Sequence, residues 1–133
     1  MSDMILIVDD DPLVGMVVEG FLSEMGCPIQ LLSDSLSAME VIKRKKPSLI
    51  LVDLCMPGLD GLTLCRQLKA DPETRDIRIV AISGSAKDAD RRAVLEQGAE
   101  AFIKKPFEGD SFPKLIAEIM ARPPLPHSGE KRP

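Results

Sequence analysis

Asp9, Asp10 and Asp11 close the short apolar run Met4 to Val8, and Asp53 closes a second run, Leu49 to Val52. Ser83 ends a third run, with Gly84 and Ser85 behind it, and Lys105 follows a fourth. Carboxylates crowded together repel, and raised pKa values or a divalent cation relieve that repulsion. An all-oxygen donor set favours Mg²⁺, which binds through a few carboxylates and keeps several waters. A cation, a lysine and a hydroxyl around one aspartate are what phosphoryl transfer to a carboxylate needs. The metal and the lysine neutralise the phosphoryl oxygens while Asp53 attacks. A plainer account stands beside this one. Asp53 opens Asp-Leu-Cys-Met-Pro-Gly, which is ordinary turn chemistry, and Asp60 before Gly61 reads first as a turn residue.

The elements that must position these residues follow from periodicity. Leu49 to Val52 is too short for a globular helix and suits a strand covered on both faces of a parallel sheet. Met4 to Val8 is a strand of the same kind, and Pro12 suits the first turn of the helix after it. Val14, Val17, Val18, Phe21, Leu22 and Met25 form one apolar stripe, closed by Gly26. Pro28 to Leu32 reads as a strand. Asp34 or Ser35 caps a second helix carrying Leu36, Met39, Val41 and Ile42, which ends in the basic run Lys43 to Lys46. That run complements the helix dipole and is read as a solvated end.

Leu62, Cys65 and Leu68 mark a third helix, and Ala70 to Asp76 a polar connection. Ile77 to Ile82 is the fourth strand. Ala86 to Gln97 has helical period but a thin apolar face of Ala86, Ala89, Ala93 and Val94, ended by Gly98. Ala99 to Ile103 is the fifth strand, and Phe112, Leu115, Ile116 and Ile119 stripe a last helix. Strands alternating with helices imply an α/β, doubly wound five-stranded parallel sheet with five helices. In an open sheet of this kind chemistry gathers at the carboxyl ends of the strands, which right-handed crossovers bring to one edge.

Length and composition bound the rest. A chain of 133 residues, 44% hydrophobic, is expected to form one domain with a single core over residues 1–121. Residues 122–133 lack apolar periodicity and are expected to be a disordered Pro-rich tail, too short to fold into an output module. With no Trp, no Tyr and a net charge of −4, neither a nucleic-acid surface nor a basic membrane patch is indicated. Cys27, Cys55 and Cys65 are an odd set without metal-site spacing, and they read as reduced thiols. Met4 to Val8 is too short for a signal core or a membrane span, so the expected location is cytoplasmic.

Taken in order on the expected strand ends, these motifs carry a resemblance. From about Met4 to Met120 the chain resembles the receiver domain of two-component response regulators, of the stand-alone type. The matching residues are Asp9-Asp10, Asp53 with Met56-Pro57 and Asp60-Gly61 behind it, Ser83, and Lys105-Pro106-Phe107. The resemblance implies a flavodoxin-like sheet of order 2-1-3-4-5. It also implies Mg²⁺ held by Asp10, Asp53 and the Cys55 backbone carbonyl, with Asp9 acting through water. Asp53 would be the phosphoacceptor, assisted by Ser83 and by Lys105, which a cis peptide before Pro106 would aim inward. Ser83 and Phe102 would be the switch pair, Phe102 standing where Tyr is frequent, so that any signal it carries is steric.

The implied phosphodonor is a sensor histidine kinase or a histidine phosphotransfer protein, and the implied output is a downstream target protein. Catalysis would be limited to self-catalysed phosphoryl transfer and autodephosphorylation. The thin helix Ala86 to Gln97 suggests the means of signalling. Ser83 would draw its loop toward the phosphoryl group, Phe102 would turn inward, and the surface of the fourth helix, fifth strand and fifth helix would change. Two rival readings are weaker. A haloacid-dehalogenase-like phosphohydrolase would use Asp9, since Asp9-Asp10-Asp11 mimics its Asp-x-Asp, but Leu13 stands where Thr or Val belongs. A nucleotide-binding module would need a glycine-rich cradle where this chain has Asp-Asp-Asp-Pro.

Overall fold

β3, Leu49–Asp53, runs through the middle of the molecule with every residue buried, in a computed structural model that describes residues 4–22, 26, 28–54, 61–83, 88–104 and 111–121. Around it lie β1 (Ile5–Val8), β2 (Ile29–Leu32), β4 (Arg78–Ser83) and β5 (Ala101–Lys104). All neighbouring strands pair in parallel, in the order β2-β1-β3-β4-β5. The helices are α1 (Pro12–Leu22), α2 (Ala38–Lys45), α3 (Gly61–Ala70), α4 (Asp88–Glu96) and α5 (Ser111–Ala121). The fold class and strand order are those expected. No helix among the described residues is long and apolar enough to cross a membrane.

Side chains alternate across a strand, so each apolar run feeds two cores. Ile5, Ile7, Leu49, Leu51, Val80 and Ile82 pack with Val18 and Leu22 of α1 and with Phe112, Ile116 and Ile119 of α5. Leu6, Val8, Ile50, Val52, Ile79 and Ala81 pack on the other face, with α2, α3 and Val94 of α4. Apolar residues on both faces explain why these strands read as continuous rather than alternating runs.

The structure corrects several expected boundaries. Leu36 is 75% exposed, because Ser35–Ser37 forms a 3-10 turn before α2 begins. The Asp34 carboxylate accepts the Leu36 N–H at 3.0 Å, and the Ser37 hydroxyl donates to the Asp34 carbonyl at 3.2 Å. α2 therefore buries Ala38 and Ile42, not Leu36. β5 starts at Ala101, not Ala99, because the Ala99 N–H donates back to the Val94 carbonyl at 3.2 Å and closes α4. β4 starts at Arg78, since the Ile77 N–H is spent on the Thr74 carbonyl at 3.0 Å.

The segment from Ala70 to Asp76, expected to be a polar connection, is anchored from within. The Thr74 hydroxyl, fully buried, donates to the Leu68 carbonyl at 2.7 Å, and Lys69 Nζ donates to the carbonyls of Arg75 and Ile77 at 3.1 and 3.2 Å. The basic run at the end of α2 is not wholly solvated. Lys43 Nζ lies 2.7 Å from the Asp71 carboxylate and 3.7 Å from that of Glu73.

Candidate functional site

Val8 of β1 pairs with Val52 of β3, so Asp9 and Asp53 leave the sheet side by side. The carboxylate oxygens of Asp9, Asp10 and Asp53 all lie within 4.8 Å of one another. Asp9 and Asp53 are 1% and 4% exposed, whereas Asp10 faces solvent. The backbone fixes two of these positions. The Asp9 N–H extends the β1–β2 ladder to the Leu32 carbonyl at 3.1 Å, and the Asp9 carboxylate accepts the Asp11 N–H at 2.9 Å. Beyond Asp53 the Leu54 N–H continues the β3–β4 ladder to the Ile82 carbonyl at 2.9 Å.

Three hard oxygen donors, two buried and one open to water, fit a small divalent cation that keeps part of its hydration shell. They fit a soft or imidazole-seeking metal poorly, as no thiol or ring nitrogen joins the cluster among the described residues.

Ser83 ends β4, one residue beyond the Ile82 that pairs with Asp53, and is 1% exposed. Phe102 lies half-buried in β5, packed against the core under α2, α3 and α4, and pairs in register with Ala81. Lys105, Cys55 and Asp60, and with them Met56, Pro57, Gly84, Pro106 and Phe107, lie outside the described residues. So does the tail after Ala121. The structure thus brings Asp9, Asp10 and Asp53 together and sets Ser83 on the neighbouring strand end.

Two residues gain a role that the sequence did not announce. Gly61 entered the sequence reading only as loop punctuation and as part of the Asp60-Gly61 match, yet it opens α3 directly against the backbone of Asp53 and Leu54. Lys69 is 8% exposed near the opposite edge of the sheet, its amine on the Arg75 and Ile77 carbonyls. Burial pushes the Lys69 ammonium down from the ordinary lysine range, with Glu100, Cys65 and Asp76 opposing. A signal existed for Lys69: it follows Leu62 by seven and Cys65 by four, the helical spacing of the apolar face.

Known proteins resemble this chain in sequence and in fold. Residues 5–117 match the family described as the response regulator receiver domain. The chain is 39% identical over 108 residues to the response regulator PleD of Caulobacter vibrioides, covering 81% of this chain and 24% of that protein. It is 35% identical over 117 residues to the response regulator MprA of Mycobacterium leprae, covering 88% of this chain and 49% of that one. The chain therefore spans half or less of the length of these relatives. Among solved structures, it superposes with TM-score 0.80 and 27% identity on the receiver domain of the sensor histidine kinase PA1611 of Pseudomonas aeruginosa, covering 92% of this chain and all of that one. That crystal structure holds a magnesium ion coordinated in its active-site cleft.

Proposed function

Because this chain belongs to the family of response regulator receiver domains, we propose that it is a phosphoacceptor signalling module in which Asp53 receives a phosphoryl group. The observation that carries the reading is the convergence of the Asp9, Asp10 and Asp53 carboxylates at the carboxyl ends of β1 and β3. A carboxylate oxygen of Asp53 attacks the phosphorus of a phosphohistidine. The P–N bond of the donor breaks, and the imidazole of a sensor histidine kinase or phosphotransfer protein leaves.

Asp9, Asp10, Asp53 and the Cys55 carbonyl would hold Mg²⁺, with Asp9 acting through water. The bound ion supplies charge neutralisation for the phosphoryl oxygens. Lys105 contributes a second positive charge, and Ser83 donates a hydrogen bond to the transferred group. Burial of Asp53 limits water access and so favours transfer over hydrolysis; later attack by water returns the free carboxylate.

Output is proposed to pass through the surface of α4, β5 and α5 to a partner protein. A phosphoryl group adds about −1.5 to −2 charge and strong acceptor oxygens, enough to draw the Ser83 hydroxyl toward Asp53. The volume so vacated admits Phe102, which lies half-buried on the same side of the sheet. A cytoplasmic location belongs to the same reading, since it gives Asp53 access to a phosphohistidine on the cytoplasmic side.

Incubation with Mg²⁺ and acetyl phosphate is expected to add one acid-labile phosphoryl group, and Asp53→Asn is expected to lose it. Full labelling of that variant would overturn the assignment, and a label mapped to Asp9 would favour the dehalogenase-like alternative.

A further inference from the structure

The three carboxylates need a fixed separation, and β3 supplies only one side of it. The other side is the return of the chain: α3 begins at Gly61, close against the backbone of Asp53 and Leu54. The Gly61 N–H points to the Leu54 carbonyl at 3.4 Å. A Cβ built on Gly61 would stand 2.6 Å from the Leu54 Cα and closer still to the Asp53 carbonyl oxygen. The obstacle is main chain of a fully buried central strand, not the tip of a side chain that could rotate away. Carbon atoms rest at about 3.5–4.0 Å, so any side chain here forces α3 and the exit of β3 apart by about 1 Å.

We propose that Gly61 is a positioning residue for phosphoryl transfer. By lacking a side chain it lets α3 clamp the backbone of Asp53 and Leu54, and this sets where the Asp53 carboxylate stands relative to Asp9 and Asp10. The inference rests on the receiver reading above and adds a residue to it. The other tight glycine in a helix does not share this role. A Cβ on Gly15 would meet only the Leu31 side chain, which can move. Residues that orient metal ligands from behind cost roughly 10–100-fold in metal affinity when changed, and a shift of about 1 Å at a reacting group costs about 100-fold in rate.

The test compares Gly61→Ala with Gly98→Ala. Gly98 holds φ +104 near the start of β5, at the edge of the sheet away from Asp53, and a Cβ there meets nothing nearer than 3.4 Å. Alanine at 98 strains the backbone and lowers stability without touching the carboxylates. Mg²⁺ affinity of each protein is measured by titration, alongside thermal unfolding and labelling by acetyl phosphate. Gly61→Ala is expected to bind Mg²⁺ at least about 10-fold more weakly than the parent and to label correspondingly slowly. Gly98→Ala is expected to bind and label as the parent does, whatever its loss of melting temperature. Should Gly61→Ala be unfolded in buffer, all three proteins are titrated in trimethylamine oxide, which favours the folded state through solvent exclusion. Parent-like Mg²⁺ affinity in Gly61→Ala overturns the inference, as does equal weakening in both variants. A parent that neither binds Mg²⁺ nor labels refutes the receiver reading itself, and the inference falls with it.

Discussion

Asp10 is the open member of the carboxylate group, while Asp9 and Asp53 are buried. Removing the Asp10 charge deletes repulsion at under 4.8 Å from two like charges, worth on the order of 1 kcal/mol even where solvent screens strongly. Asp10→Asn is therefore expected to leave stability in metal-free buffer unchanged or higher, and to weaken Mg²⁺ binding. Urea unfolding with and without Mg²⁺ checks both halves. A metal-free variant clearly less stable than the parent, with Mg²⁺ affinity intact, would refute the repulsion argument.

At the far edge, Lys69 gives the opposite kind of linkage. Its folded pKa is lowered by burial, so between that value and the ordinary lysine value the unfolded chain binds more protons than the folded one. The cost of burying the charge is fully present below the folded pKa and is relieved as pH rises through it. Relative to Lys69→Met, the parent is expected to gain stability from neutral pH toward the ordinary lysine pKa. Parallel curves of unfolding free energy against pH for the two proteins would contradict this.

At the scale of elements, α2 ends on Lys46, held at φ 46 with its N–H on the Ile42 carbonyl at 2.8 Å. A side chain in that left-handed conformation costs about 1–2 kcal/mol, and glycine avoids it while losing some of the gain to its freer unfolded chain. Lys46→Gly is expected to raise stability by up to about 1 kcal/mol, read as a higher urea midpoint at unchanged slope. An unchanged or lower midpoint would mean that the Lys46 side chain contributes more than the strain it causes. The sequence placed a basic run here but not its partner. Lys43 reaches Asp71, and that pairing holds the Asp71 carboxyl below, and the Lys43 ammonium above, their ordinary ranges. α4 was legible in a different way: its thin apolar face appears as Val94, the one fully buried side chain among those of the helix that are described.

For the molecule as a whole, the sheet separates two cores, and Phe102 of the proposed switch packs in one of them. Phe102 packs toward the face covered by α2, α3 and α4, whereas α1 and α5 cover the other. A helix that buries little area is repositioned by a small bias, while strands buried on both faces are not. Beryllofluoride, as a mimic of the phosphoryl group, is expected to shift amide resonances across 86–105 and to leave the β1–β3 interior near its starting values. In Ser83→Ala the mimic should still bind at Asp53, with most of the distant change lost. Shifts confined to Asp9, Asp53 and their neighbours, with Phe102 unmoved, would remove the switch from the account.

The order of elements was legible because the inner strands β1, β3 and β4 are buried on both faces and spell nearly unbroken apolar runs, while each helix spells a stripe. Asp9, Asp53 and Ser83 could be placed at strand ends for the same local reason, since the apolar run simply stops there. Distances could not be read this way. The pairing of Val8 with Val52 joins residues far apart in the chain, and only that register brings Asp9 beside Asp53. Leu36 looked like helix core until the Asp34 carboxylate claimed its N–H and turned it outward. Thr74 lay in a segment that read as a polar connection and Lys69 drew no reading of its own, yet the carbonyls at the end of α3 and just before β4 drew both inside. Gly61 entered only as loop punctuation and beside Asp60 in a motif, and it is the approach of α3 to β3 that leaves no room for a side chain there. Local pattern determined which residues could meet; long-range packing decided how closely they do.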